Sequence, residues 1–233
     1  MRLIIIFQCI LFLSLQQLHA QDDRYAVGYM SAVSNYAALF SGNLQQPLTF
    51  KPTNHPYFVQ EDFASGRLSY GGVVYPSVWL RWDLYRDELM VMSPTNHIIV
   101  LKSEHIDFAE LYGYRIIYLR PDDLPGCPPV GNYIQLNKGD FVLLEKIINE
   151  LHVKANTFDR FKTDYSFVLS SIYYLQKNGE YHRIKNRRTL LKTLETHRSE
   201  LRRFIQANQL NYKRDAEKMV LEVINEHEKL NQQ

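Results

Sequence analysis

The chain has 233 residues, with 27 lysines and arginines against 25 carboxylates, and 45% of it is apolar. That apolar share excludes intrinsic disorder, and the near balance of charge excludes a chain governed by nucleic-acid electrostatics. Ten glycines leave little room for phosphate-cradling loops.

Residues 1–20 read as a secretory leader. Arg2 is followed by an apolar run from Leu3 to Leu15, and small Ala20 stands at the expected cleavage position. The run is too short for a spanning helix, which needs roughly 20 apolar residues. The expectation is export, periplasmic or secreted, with cleavage near Ala20 and no membrane span in the mature chain. Cys9 leaves with the leader, so Cys127 is the only mature cysteine and no internal disulfide forms. Cys127 lies in Pro125-Gly126-Cys127-Pro128-Pro129, where no basic group is near in sequence to activate a thiol. It is expected to be inert.

Residues 21–60 are weakly patterned. Ser34–Leu39 suits a short helix, and Pro47, Pro52 and Pro56 prevent any regular element beyond it. From 61 to 186 the pattern is that of strands. Leu68–Tyr70, Gly71-Gly72 and Val73–Tyr75 predict a tight hairpin. Val78, Leu80, Trp82 and Leu84 alternate with Trp79, Arg81 and Asp83, the period of a half-buried strand. Further short runs lie at Leu89–Met92, Ile98–Leu101, Ile106–Phe108 and Tyr114–Leu119. Links this short require antiparallel pairing, because a parallel pair needs a crossover of about a dozen residues. Tyr133–Leu136 turns at Asn137-Lys138-Gly139 into an arm, residues 140–151, that suits either a strand or a helix. Phe167–Leu175 and Glu180–Lys185 flank Asn178-Gly179, a hairpin turn.

Residues 187–233 are helical. Leu190, Leu191 and Leu194 form one stripe. Thr196 is placed to cap a second helix carrying Leu201, Phe204 and Ile205. Ala216, Met219, Val220, Val223, Ile224, His227 and Leu230 share one face of a third. The fold class predicted is α+β: an antiparallel β meander, curled or barrel-like, with three C-terminal helices packed on the sheet.

Asn54-His55-Pro56-Tyr57-Phe58, Gly66-x-Leu68-x-Tyr70-x-Gly72-x-x-Tyr75, Val78-x-Leu80-x-Trp82-Asp83, Glu88-Leu89-x-Val91 and Gly179-x-Tyr181 occur in that order. With Arg198-x-x-x-Leu201-x-x-Phe204-Ile205-x-x-Asn208-x-Leu210, the string resembles an uncharacterised family of exported conserved proteins of Bacteroidota-type bacteria. The resemblance covers residues 36–230. It implies export and a strand over Asp140–Lys146, and lends no activity.

Several constellations bear on chemistry. The histidines are scattered, and neither a His-x-x-x-His nor a Cys-x-x-Cys pair occurs, so no metal or other cofactor is expected. Asp83, Asp87, Glu88 and His97 are the candidates for acid–base work, but Asp83 and Asp87 bracket what reads as a turn. Residues 177–203 hold nine basic side chains against Glu180, Glu195 and Glu200. Arg187 and Arg188 stand at the centre of that stretch, which suits an anionic partner. Trp79 and Arg81 lie on the strand face opposite Trp82, where an aromatic open to solvent would mark a ligand surface. The function predicted is an exported cell-envelope binding or interaction module without catalysis, its partner an envelope protein or glycan, nucleic acid being disfavoured. The alternatives are an envelope hydrolase using carboxylates near Asp83, and a polyanion-binding protein acting through the basic C-terminal face.

Overall fold

The computed structural model describes residues 36–120, 128–155 and 163–232. The leader and Cys127 lie outside the described residues. The chain divides into two compact units at Gly42. Of the first, residues 36–39 form a single helical turn, in which Phe40 N–H donates to Tyr36 O at 3.1 Å.

The second unit is an eleven-stranded antiparallel sheet followed by three helices. The strands are β1 (Asn43–Leu44), β2 (Ala64–Tyr70), β3 (Val73–Asp83), β4 (Glu88–Met92), β5 (Ile98–Val100), β6 (Ile106–Leu111), β7 (Tyr114–Leu119), β8 (Gly131–Gln135), β9 (Phe141–Ala155), β10 (Thr163–Lys177) and β11 (Glu180–Ile184). The helices are α1 (Arg187–Leu194), α2 (Arg198–Ala207) and α3 (Ala216–Asn231). Spatial order is β1-β5-β4-β3-β2-β6-β7-β8-β9-β10-β11. Two meander runs, β2–β5 and β6–β11, are therefore joined through the β2–β6 pair. The return from β5 to β6 takes a single 3-10 turn at Ser103–His105. It is held where His105 O accepts from Gly71 N at 2.7 Å and Lys102 N–H donates to Tyr70 Oη at 3.3 Å.

The sheet is open, with β1 and β11 as its edges, yet it curls strongly. Asp87, in the β3–β4 turn, accepts a bond of 3.0 Å from Asn132 N on β8, although β2, β6 and β7 lie between. Four strand spacings of a flat sheet would hold those strands about 19 Å apart. Segment 52–58 ties the curl. Pro52 bridges Tyr165 of β10, Tyr57 bridges Asp83 of β3, and Asn54 exchanges side-chain bonds with both backbone groups of Phe167.

Periodicity decides which side chains enter the core. On β3, Val78, Leu80 and Trp82 are buried while Trp79 is 56% exposed, the predicted alternation. Residues 140–151 resolve as strand, the first part of the fifteen-residue β9, paired along its length with β10. Its sequence gives no clean alternation because both of its faces are covered near the start. Phe141 and Leu143 pack under the helices, with Tyr173, Leu175 and Ile184 of β10 and β11. Leu144 packs on the other side with Tyr133 and Tyr174. The helices contribute Leu190, Leu191, Leu194, Leu201, Ile205, Met219, Val220, Val223 and Ile224 to the first of these cores. Fully burying such a side chain stabilises by roughly 1.5–3 kcal/mol, so this stripe anchors the helices.

One cap differs from expectation. The N-cap of α2 is His197, in a left-handed conformation and without a side-chain cap bond. Thr196 is instead drawn 2.7 Å from Nε2 of buried His227 on α3. A tertiary hydrogen bond to a buried ring outweighs a local cap. Asp215 does cap α3, accepting from Lys218 N at 3.0 Å.

Candidate functional site

Asp83 is 1% exposed, and its Oδ1 accepts from the backbone N–H groups of Tyr85 and Arg86 at 2.9 and 3.0 Å. Burial pushes its carboxyl above the usual range, and those two bonds oppose the shift. The group shapes the β3–β4 turn and has no open path to a substrate. Burial likewise raises Glu88. Asp87 faces elsewhere. Its carboxylate accepts from Trp82 Nε1 at 3.2 Å, Asn132 N at 3.0 Å, Asn132 Nδ2 at 3.1 Å and Lys146 Nζ at 2.5 Å. The carboxylates expected to form an acid–base pair are thus each committed to separate structural partners.

Arg81 and Trp79 part company. The Arg81 guanidinium lies between two rings, 4.0 Å from the centroid of Tyr57 and 4.3 Å from that of Phe63. It donates to Glu61 O at 2.9 Å and Gln45 Oε1 at 3.1 Å. Burial lowers its pKa, with Tyr57, Asp83, Glu61 and Asp62 opposing. Arg81 therefore fastens the segment around residues 57–63 to β3, which leaves Trp79 open beside it. A cleft of about 710 Å³ lies along that same strap, walled by Phe50, Tyr57 and His55, with Lys51 and Glu61 of opposite sign on its rim. Its groups do not converge on one chemistry.

Among the described residues no group of three or more His, Cys, Asp or Glu side chains is arranged to hold a metal. His97 is turned to Thr95 Oγ1 at 2.9 Å, and Asp107 accepts from Ser69 Oγ and Gly72 N.

The basic stretch behaves differently. Arg187, Arg188, Lys192, Arg198 and Arg202 line one cavity of about 670 Å³, with buried Leu191 among them. Its construction derives from local sequence. The Asn186 side chain accepts from Thr189 N at 3.0 Å, and Thr189 Oγ1 accepts from Asn186 N at 3.1 Å, a reciprocal cap that fixes the start of α1. Arg187 and Arg188 consequently occupy the first turn. Arg188 and Lys192 stand four residues apart on α1, as do Arg198 and Arg202 on α2, so each helix presents a row of cations. Arg198 Nε donates to Leu191 O at 3.1 Å and joins the start of α2 to the end of α1.

No carboxylate is among the described residues lining this cavity. Glu195 is turned to Lys177 at 2.9 Å, and Glu200 accepts from Ser199 Oγ at 2.8 Å. Like charges four residues apart on a helix destabilise it by about 0.2–0.5 kcal/mol per pair, and cations in a first turn oppose the helix dipole. The arrangement is thus locally unfavourable in the absence of an anion. Arg187 and Arg188 are legible in the sequence as charge. Lys192, Arg198 and Arg202 join them only through the packing of α1 against α2.

No protein-family model, curated protein or solved structure matches the chain. No helix among the described residues is long and apolar enough to cross a membrane.

Proposed function

We propose that the protein is an exported, non-catalytic binding module whose partner is anionic and docks on the basic concavity between α1 and α2. The observation that carries this reading is the convergence of five cationic side chains on one cavity with no carboxylate among its described lining residues. The leader-like residues 1–20 support export to the cell envelope, where acidic glycans, lipid phosphates and acidic proteins all offer matching charge. The positions of Asp83 and Asp87 favour binding over hydrolysis, since each carboxylate is occupied by a structural partner.

The test is retention on immobilised heparin and on anionic lipid vesicles at low salt. Arg187→Glu with Arg188→Glu should abolish retention while leaving the thermal melt nearly unchanged, since exposed substitutions shift stability by under roughly 0.5 kcal/mol. Absence of retention at low salt, or retention indifferent to the double reversal, would reject the reading.

A further inference from the structure

Resting on that reading, we infer that the basic concavity is built for a compact ligand carrying several phosphate groups, rather than for a dispersed polyanion or a single phosphate. Three features point there. First is charge density. Five cations face one cavity of about 670 Å³, on two rows that belong to different helices. A phosphomonoester carries about −1.5 to −2 at pH 7, so about three such groups balance the five cations. Carboxylates or sulfates, at one charge each, would have to be crowded five to the cavity.

Second is donor chemistry. Four of the five cations are arginines, whose planar forks match phosphate oxygens through paired N–H donors. Third is size. At about 30 Å³ of liquid volume per water, the cavity corresponds to about twenty waters, far more space than one phosphate fills. A ligand that touches only Arg188 and Lys192, or only Arg198 and Arg202, leaves the opposite row unbalanced. The two rows are therefore read as two halves of one clamp, closed by phosphates held on a short scaffold. Such phosphates occur free in solution or as the headgroup of a phosphorylated lipid. The recognition chemistry is common to both.

The experiment uses the full mature chain and isothermal titration at fixed ionic strength. The probes are orthophosphate, tripolyphosphate, inositol hexakisphosphate and citrate, with a sulfated disaccharide as dispersed-charge control. Inositol hexakisphosphate and tripolyphosphate should bind at least tenfold more tightly than orthophosphate, citrate or the sulfated disaccharide. Arg188→Glu and Arg202→Glu should each weaken them at least tenfold, and Arg202→Lys should restore part of the loss. Melting temperatures of all variants guard against misfolding. A second arm measures capture by vesicles containing a bisphosphorylated inositol lipid against vesicles of phosphatidylserine at equal surface charge. Capture by the former alone, displaced by soluble inositol hexakisphosphate, identifies a lipid headgroup. Tight binding in solution without capture identifies a free ligand. Equal affinity for all the soluble anions, or equal capture by both vesicles, overturns the inference while retention on heparin leaves the proposed function standing. Loss of heparin retention as well would reject both.

Discussion

Lys146 reaches Asp87 past Gly131. The ammonium, 13% exposed, donates to Asp87 Oδ2 and to Asn132 O at 3.1 Å, and it lies 4.9 Å from the centroid of the Tyr133 ring. A Cβ on Gly131 would collide with both the carboxylate oxygen and the ammonium, and the residue has φ near +144°. Glycine is needed there on both counts, for space and for backbone conformation. The pair joins the β3–β4 turn to β9 and thereby fastens the curl of the sheet.

Removing one partner of that pair should cost more than removing both. Lys146→Met strands the Asp87 charge, and Asp87→Asn strands the ammonium, each with an expected loss of about 1–3 kcal/mol in urea unfolding, below the 3–5 of a fully buried pair because Asp87 is 27% exposed. The double variant should lose less than the sum. Gly131→Ala should be at least as damaging as either single change. Additive single losses, or a neutral Gly131→Ala, would show that the curl does not depend on this contact.

Arg81→Lys is not a conservative change here. The guanidinium is held between Tyr57 and Phe63, and an ammonium cannot stack on two rings while donating to Glu61 O and Gln45. The substitution should destabilise by roughly 1–2 kcal/mol, as expected for a desolvated cation–π contact. Trp79→Ala, at an exposed position on the same strand face, should be within about 0.5 kcal/mol of the parent. Equal melts for Arg81→Lys and Trp79→Ala would contradict the fastening role.

His227 should make the fold sensitive to mild acid. The ring is 2% exposed, with Thr196 Oγ1 at Nε2, Asn231 Nδ2 3.3 Å from Nδ1, and Phe141 edge-on. Burial lowers its pKa, and the nearby charges of His197 and Lys177 add to that. The unfolded chain then binds the proton more readily than the folded one. Stability is full above the ordinary histidine pKa of about 6.5 and falls as pH drops through it towards the depressed folded value. His227→Gln should flatten the melting temperature between pH 7 and 5.5. An unchanged slope in that variant would place the acid sensitivity elsewhere.

Legibility in the sequence tracks the range of the interactions concerned. Hairpins at Gly71-Gly72 and Asn178-Gly179 are readable because two-residue turns with positive φ carry their own residue signature; Asn178 has φ of 53° and Gly179 of 82°. The leucine stripes of the helices are readable for the same reason of local period. The strand order is not, because nothing near Ser103–His105 announces that β6 returns to the free side of β2. Residues 140–151 are ambiguous because burial of β9 on two faces erases alternation. Thr196 reads as a cap because the sequence does not show His227 thirty-one residues away. Arg81 reads as part of a ligand surface because Tyr57 and Phe63 approach it only in the fold. The basic concavity is half legible: the charge is visible, while its convergence depends on how α1 and α2 meet.

The most direct test of the central claim is the salt dependence of heparin affinity for the mature chain and for Arg187→Glu with Arg188→Glu. If the concavity binds by neutralising several anionic groups, the logarithm of the association constant falls linearly with that of salt, by roughly 0.7–0.9 per charge neutralised. The account predicts a steep slope for the parent and a shallower one, with much weaker binding, for the reversed variant. Identical slopes and affinities in the two proteins would contradict it.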